Sequence, residues 1–246
     1  MKPLEGKSAL ITGAGKRIGR AIAIKLASEG ANIVAHFNSS AREADELCGH
    51  ISTYDVNCWR LQADFSKPDE YESLVDAAYD KAGGLDFLIN SASIFPESAV
   101  GTVTWDDLAC NIKVNAWAPF YLGRSFAARA KSGAIVNLLD TRIKGYDLKH
   151  ISYILSKQML ESLTRIMAIE FAPRVRVNGV APGLILPPPG KNDGYIEELA
   201  HRLPLNRHGN ARDIADAVMF LISSEFITGQ VIHVDGGWNL TCAKER

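Results

Sequence analysis

Short apolar runs alternate along the chain with longer stretches whose apolar positions recur at helical spacing. Residues 7–12 read as a buried strand, and residues 17–29 as a helix with Ile18, Ala21, Ile22 and Leu26 on its inner face, ended by Gly30. The alternation continues with strand 31–37, helix 41–52 and a short strand at 58–62. Pro68 opens the next helix in its first turn and Gly83-Gly84 closes it. Strand 85–90, a long helix over 104–130, strand 134–139, helix 152–171, strand 175–180, helix 212–223 and strand 231–234 complete the series. Regular βα alternation predicts an α/β fold: one doubly wound parallel sheet with helices on both faces, spanning 1–246 as a single domain. One region breaks the rhythm. Residues 182–192 are rich in Pro and Gly, and a short helix near 195–201 follows. This substrate loop and short helix, at about 183–203, are expected to lie on the substrate side, since long loops in compact domains carry function more often than they merely connect.

Composition narrows the function classes. The chain has 246 residues, enough for one sizeable core. Lys plus Arg (27) nearly balances Asp plus Glu (28), so no charge excess points to nucleic acid or an anionic membrane. Cys48, Cys58, Cys110 and Cys242 form no C-x-x-C pair and no His/Cys cluster of metal spacing, and they are expected to be reduced thiols in a cytosolic protein. The first residues, MKPLEGKSALITG, lack the long apolar stretch of a signal peptide, and no later run is long enough to span a membrane. The expectation is a cytoplasmic protein with a small-molecule substrate and with no metal, nucleic-acid or membrane partner.

Two stretches carry candidate chemistry. Tyr153 and Lys157 stand four apart on a helix, which puts a phenol and an ammonium on one face about one turn apart. A lysine there is expected to lower the phenol's pKa and make it a usable acid near neutral pH. Between the first strand and first helix lies Thr12-Gly13-Ala14-Gly15-Lys16-Arg17-Ile18-Gly19. Backbone amides at such a helix start hold a pyrophosphate, aided by the positive end of the helix dipole. Gly13 permits the tight turn and Gly19 a close approach of helix and sheet.

Together these motifs resemble the short-chain dehydrogenase/reductase family, with its T-G-x-x-x-G-x-G turn and Y-x-x-x-K pair, over essentially the whole chain. The resemblance implies a Rossmann-type fold and further cofactor contacts. Asp64, followed by Phe65, sits where the family contacts adenine. Asn90-Ser91-Ala92-Ser93 stands where it has N-N-A-G. Asn115 falls where an asparagine helps hold a proton-relay water, and Pro182-Gly183-Leu184 follow the sixth strand. Two departures are informative. The family's middle glycine is Arg17, and the second strand ends in His36-Phe37-Asn38-Ser39-Ser40 with no carboxylate to bind a ribose 2′-hydroxyl. Lys16 and Arg17, with hydrogen bonds from Asn38, Ser39 and Ser40, therefore favour NADPH over NADH.

The third departure is at the catalytic end. Where most of the family has a serine that donates to a substrate carbonyl, this chain has Asp140, which accepts hydrogen bonds and donates none when ionised. Thr141 is adjacent, but its side chain is expected to point elsewhere on an extended segment. Asp140, Arg17 and the run from Asn90 to Phe95 resemble the pteridine reductases, including the bacterial dihydromonapterin reductases. That subgroup sandwiches a pterin between the nicotinamide and a phenylalanine, here Phe95, with Ser93 and Leu184 also toward the substrate; a core aromatic is the plainer alternative for Phe95. The resemblance implies hydride transfer from NADPH to a C=N carbon of a dihydropteridine such as dihydrobiopterin, dihydromonapterin or dihydrofolate. Tyr153 supplies or relays the proton, Lys157 binds the nicotinamide ribose, Asp140 orients Tyr153 or the substrate amine side, and Asn115 supports the relay. Solvent is the other source for the proton on the ring nitrogen. The alternatives are a carbonyl reductase such as a 3-oxoacyl thioester reductase and a non-catalytic NADP-binding sensor; retention of Tyr153 and Lys157 speaks against the sensor. His150, near Tyr153, is expected to make a local structural contact. The segment 232–238 resembles the family's subunit-interface segment, which implies a homotetramer.

Overall fold

The computed structural model describes residues 2–188, 190 and 192–241. Cys242, expected as a free thiol, lies outside the described residues. The strands are β1 (Ser8–Ile11), β2 (Asn32–Phe37), β3 (Cys58–Gln62), β4 (Phe87–Asn90), β5 (Gly133–Leu138), β6 (Val175–Pro182) and β7 (Val231–Val234). Among the described residues they form one sheet in the order β3-β2-β1-β4-β5-β6-β7, and every neighbouring pair is parallel. The helices are α1 (Arg17–Ser28), α2 (Ala41–Ile51), α3 (Pro68–Glu72), α4 (Leu74–Ala82), α5 (Trp105–Ile112), α6 (Ala118–Arg129), α7 (Ile151–Glu170), α8 (Asp193–Ala200), α9 (Ala211–Ser223) and α10 (Trp238–Thr241).

The period of two along each strand divides the core into two layers. Ala9, Ile11, Ile33, Ala35, Ile89 and Val136 face one layer with Ile22 and Leu26 of α1 and Val218 and Leu221 of α9. Leu10, Val34, Leu88, Ile135 and Val177 face the other, with Leu122 and Phe126 of α6 and Met167 of α7. Strands buried on both faces read as continuous apolar runs, which is why they were legible. Each fully buried Leu or Ile contributes about 2 kcal/mol.

Two helices differ from expectation. The helix opened by Pro68 breaks at Ser73, whose Oγ donates back to the carbonyls of Asp69 and Glu70, a local competition that interrupts helical pairing. The long helix over 104–130 is continuous but passes through a π-helical turn at Lys113–Trp117 between α5 and α6. Pro119 has no N–H to give the carbonyl four residues back, and the wider turn absorbs that loss.

The cysteine reading needs correction. Cys48 at the end of α2 and Cys58 at the start of β3 form a disulfide with Cα atoms 5.2 Å apart. Their ten-residue separation matches no motif; only the return of the chain from α2 to the edge strand brings them together. Cys110 is free and exposed. No helix among the described residues is long and apolar enough to cross a membrane.

Candidate active site

The strand order reverses between β1 and β4, and there the carboxyl ends of the strands leave a crevice. The glycine turn lines it. Gly13 has φ 66°, and a Cβ on it would lie 3.0 Å from the Cα of Ala92 in the segment after β4. A Cβ on Gly19 would lie 2.3 Å from the carbonyl oxygen of Gly13, so the close approach anticipated for Gly19 is between α1 and the turn itself. Thr12 Oγ accepts from the N–H groups of Ser91 and Ala92 at 2.9 and 3.0 Å, locking the ends of β1 and β4 together.

His36 and Phe65, expected among the cofactor contacts, are buried behind this turn. His36 Nδ1 accepts from Gly13 N–H at 3.2 Å, Nε2 lies 3.0 Å from the Ala63 carbonyl, and the ring stacks on Phe65 at 4.5 Å. Burial outweighs the Ala63 hydrogen bond and lowers its pKa to about 4, so it is a neutral brace at physiological pH. Asp64 sits at the crevice rim, where its Oδ1 accepts from Ser66 N–H at 2.9 Å.

The start of α1 suits an anion. It has no acidic residue in its first turn, and no side chain caps its N–H groups. Beside it lies a cleft of about 490 Å³ lined by Gly15, Lys16, Arg17, Arg20, Glu43 and Glu46. A Cβ on Gly15 would lie 2.9 Å from Ser40 Oγ, while Asn38 and Ser39 are exposed nearby. Three cations face two carboxylates in this lining, so it carries a net positive charge, and with the uncapped N–H groups of α1 it suits a dinucleotide phosphate. Two side chains are engaged elsewhere. Lys16 pairs with Glu43 at 2.7 Å, and Arg17, at φ 52°, donates to the Pro187 carbonyl at 2.8 Å, tying the glycine turn to the loop after β6.

Tyr153 and Lys157, expected as the catalytic pair, both lie on α7 and are buried. Lys157 Nζ donates to the Leu138 carbonyl at 2.7 Å, and burial lowers its pKa to about 8. Tyr153 Oη donates to Asp140 Oδ2 at 2.9 Å. Burial first, then the Asp140 charge, raises the Tyr153 pKa well above the ordinary phenol range, against the opposing charge of Arg142. Lys157 is turned to the strand carbonyl with its ammonium 5.8 Å from the Tyr153 ring centroid, and the Arg142 charge acts downward on the phenol.

Arg142 and Asp147 are the residues that the sequence reading missed. Asp140, two residues beyond β5 and in extended conformation, caps a 3₁₀ turn at Thr141–Lys144, accepting from Arg142 N–H at 2.8 Å. Arg142 Nε and Nη2 reach the two oxygens of Asp140 at 3.0 and 2.9 Å, and Nη1 reaches Asp147 at 2.6 Å. Burial opposes the charge on Arg142, but the carboxylates prevail and its pKa is raised. Asp147 also meets His150 Nδ1 at 3.0 Å; burial opposes its charge, but its hydrogen bonds and the Arg142 cation hold its pKa below the ordinary range. The available signal was an Asp-x-Arg spacing at a strand end, which permits a local capping contact.

Phe95 stacks on His150 at 4.0 Å and meets the Tyr153 ring edge-on at 4.6 Å. Asn115 holds it in place. Its Oδ1 accepts from Ser93 Oγ and Ile94 N–H at 3.0 and 2.9 Å, and its Nδ2 donates to the Ile94 carbonyl at 3.0 Å and to Ser156 Oγ at 3.1 Å. With its amide so occupied, the Asn115 side chain is a clasp on the Ser93–Phe95 segment. Asn90 is likewise buried and donates to Asn137 Oδ1 at 2.8 Å. Thr141 points away from Tyr153, as expected, and donates to Asp235. Leu184 is buried in one cluster with Ile196, Ala200 and Leu203, packed against α8. Pro182 ends β6 and Gly183 donates to the Val234 carbonyl at 3.0 Å; a Cβ on Gly183 would lie 2.5 Å from that of Asp235.

Comparison with known proteins accords with this geometry. Residues 13–239 match the family model described as enoyl-(acyl carrier protein) reductase. The chain is 33% identical over 239 residues to 3-oxoacyl-[acyl-carrier-protein] reductase FabG of Staphylococcus aureus strain Mu50, covering 94% of this chain and 97% of that one. It is 33% identical over 280 residues to pteridine reductase 1 of Leishmania tarentolae, covering 96% and 97%. The crystal structure of FolM alternative dihydrofolate reductase 1 from Brucella canis, complexed with NADP, superposes with a TM-score of 0.92 at 32% identity, covering 98% of this chain and 96% of that one.

Proposed function

Because the chain belongs to the short-chain dehydrogenase/reductase family and is an NADPH-dependent oxidoreductase of it, we propose that it reduces a 7,8-dihydropteridine to the tetrahydro form. NADPH, when bound, supplies the hydride for the C=N carbon. The residues that would hold it are the first turn of α1 with Gly13, Lys16 and Arg17 at the phosphates, Asp64 at the adenine, and Tyr153 and Lys157 at the nicotinamide ribose.

The observation that carries the reading is the bond from Tyr153 to Asp140. At the place beside the tyrosine where a ketone would need a donor, the protein has a carboxylate that only accepts. It suits a substrate whose edge carries N–H groups. Tyr153 remains protonated through the neutral range, so it holds the proton the reduction consumes. Asp140 aims the phenol, and Asn115 fixes the segment that carries Phe95, whose ring is the platform for the flat substrate. A homotetramer is part of the proposal. Its support is the half-buried edge strand β7 and the solvent-facing apolar side chains Leu155, Ile166 and Ile169 of α7. Light scattering of the purified protein tests it, and a monomeric mass would exclude it.

The likeness to FabG, as extensive as that to pteridine reductase 1, sustains the second reading, a 3-oxoacyl thioester reductase. Following NADPH oxidation with dihydrobiopterin, dihydromonapterin and an acetoacetyl thioester separates the two. Turnover of a pterin is expected. Reduction of the thioester with no pterin turnover would transfer the assignment to carbonyl reduction. An Asp140→Ser variant is expected to gain ketone reduction and lose pterin reduction.

A further inference from the structure

Asp140 and Asp147 share one cation. Arg142 N–H and Nε meet Asp140 Oδ1 and Arg142 Nη2 meets Oδ2, with Tyr153 Oη as the fourth donor, all between 2.8 and 3.0 Å. Arg142 Nη1 meets Asp147 Oδ2 at 2.6 Å, and Asp147 also meets His150 Nδ1 and the N–H groups of Lys149 and His150. Both carboxylate side chains are only 13% exposed. Among the described residues, Arg142 alone forms an ion pair with Asp140. The other charged groups around the turn are engaged elsewhere. The Asp140 charge reaches Lys157 on α7 through space, but that ammonium donates to the Leu138 carbonyl. Lys144 pairs with Glu161, while His233 and Asp235, from the β7 side, meet the turn at Thr141.

The charge on Asp140 sets the direction of its hydrogen bonds. An ionised carboxylate only accepts, whereas a protonated one has an O–H to give. A buried carboxylate is costly unless paired, and one left unpaired relieves that cost by taking up a proton. Without the guanidinium, two buried carboxylates would face each other's charge, the arrangement in which one of them takes a proton. The remaining donors decide which. Asp147 loses one hydrogen bond and keeps those from His150 Nδ1 and two backbone N–H groups. Asp140 loses both guanidinium bonds and keeps only the backbone N–H at position 142 and the phenol. The proton therefore goes to Asp140.

We propose that Arg142 is a specificity-determining residue: by keeping Asp140 ionised, it holds the place beside Tyr153 as an acceptor and closes the site to ketones. The proposal rests on the pteridine reading, in which that acceptor excludes carbonyl substrates. An uncharged residue at position 142 turns Asp140 from acceptor to donor and supplies, beside the phenol, the hydrogen bond that a ketone oxygen needs. Reduction of an acetoacetyl thioester then balances. The hydride of NADPH goes to the keto carbon and the Tyr153 proton to its oxygen, giving the 3-hydroxyacyl thioester and NADP⁺, and solvent reprotonates the phenol. Arg142 acts through Asp140 and does not itself touch the ketone.

The test is Arg142→Met, which keeps an apolar stem and removes the charge, read in two ways. In infrared difference spectra the variant is expected to gain a protonated-carboxyl band as pH falls through the neutral range. The parent lacks that band, and the double variant Arg142→Met/Asp140→Asn loses it. NADPH oxidation with the acetoacetyl thioester is expected to rise at least about tenfold over the parent, growing toward lower pH in step with the band, since one donor to a developing oxyanion is worth about a hundredfold or more. Arg142→Lys returns a positive charge and is expected to remove both the band and the gain. No band in the methionine variant would overturn the proposal, and so would a band with no gain in thioester reduction. A gain that the lysine variant retains would also overturn it and make Arg142 a packing residue. If the methionine variant does not fold, Arg142→Gln, equally uncharged, takes its place. Dihydromonapterin turnover by the parent is measured in parallel. A parent without pterin turnover refutes the assigned reaction whatever the band shows, and a parent that turns over pterin, with no band in the variant, refutes the role of Arg142 alone.

Discussion

Replacing Asp140 with Asn separates what the carboxylate does for the fold from what it does for the phenol. The amide keeps one oxygen and turns the other position into a donor. At most two of the four donors that meet Asp140 then keep an acceptor, and the new NH₂ group faces the Arg142 fork. Removing one partner of a fully buried ion pair costs about 3–5 kcal/mol. Here the side chains are 28% and 13% exposed and Arg142 retains Asp147, so a loss of about 2–3 kcal/mol is expected. The phenol responds in a defined direction. The Asp140 charge is the second cause, after burial, of the raised Tyr153 pKa, so its removal lowers that pKa. The alkaline limb of the kcat/KM profile, which reports the proton on the free enzyme's acid, moves to lower pH. Urea unfolding followed by circular dichroism measures the first effect, and NADPH oxidation across pH the second. Stability within about 0.5 kcal/mol of the parent would show that the pair carries no net stability. An alkaline limb that moved upward would refute the electrostatic account of Tyr153.

Gly19→Ala forces a Cβ to within 2.3 Å of the Gly13 carbonyl, so the turn must shift; NADPH affinity is expected to fall at least about tenfold by fluorescence titration, and a change under twofold would refute the close-approach argument. His36 titrates near 4 when folded and near 6.5 when unfolded, so the unfolded chain binds the extra proton between those values. Its contribution is intact above about pH 6.5 and lost toward pH 4, about 3 kcal/mol in all, and His36→Asn should flatten that part of the stability–pH curve. Lys157 has its pKa lowered from 10.5 to about 8, so the unfolded chain holds the proton longer and stability rises with pH across that window. Lys157→Met should abolish both the rise and the catalysis; a rise that persisted in urea titrations would assign it to another group.

The alternation of apolar runs was enough to place every strand of the sheet to within two residues at either end, because strands covered on both faces carry no polar interruption. The glycine turn, the Tyr153–Lys157 pair and the position of Asp140 were equally legible, since each depends on spacing within one strand–turn–helix unit. The Ser73 break and the π turn were less so; there a local serine hydroxyl or a missing proline N–H overrides an uninterrupted helical pattern. The disulfide was misread because Cys48 and Cys58 meet only when α2 returns to the sheet edge.

What the chain alone determined is the architecture and the inventory of reactive groups at the carboxyl edge of the sheet. What only the tertiary structure decided is how those groups are paired. The family pattern suggested Lys157 as partner of the phenol, His36 and Phe65 as cofactor contacts, and Asn115 as support for a water. Packing turned Lys157 to the Leu138 carbonyl, buried His36 on Phe65, spent Asn115 on the Ser93–Phe95 segment and set Arg142 on Asp140. Spacing constrains neighbours along one element, whereas a buried charge or amide takes whichever partner the converging elements bring within hydrogen-bond reach.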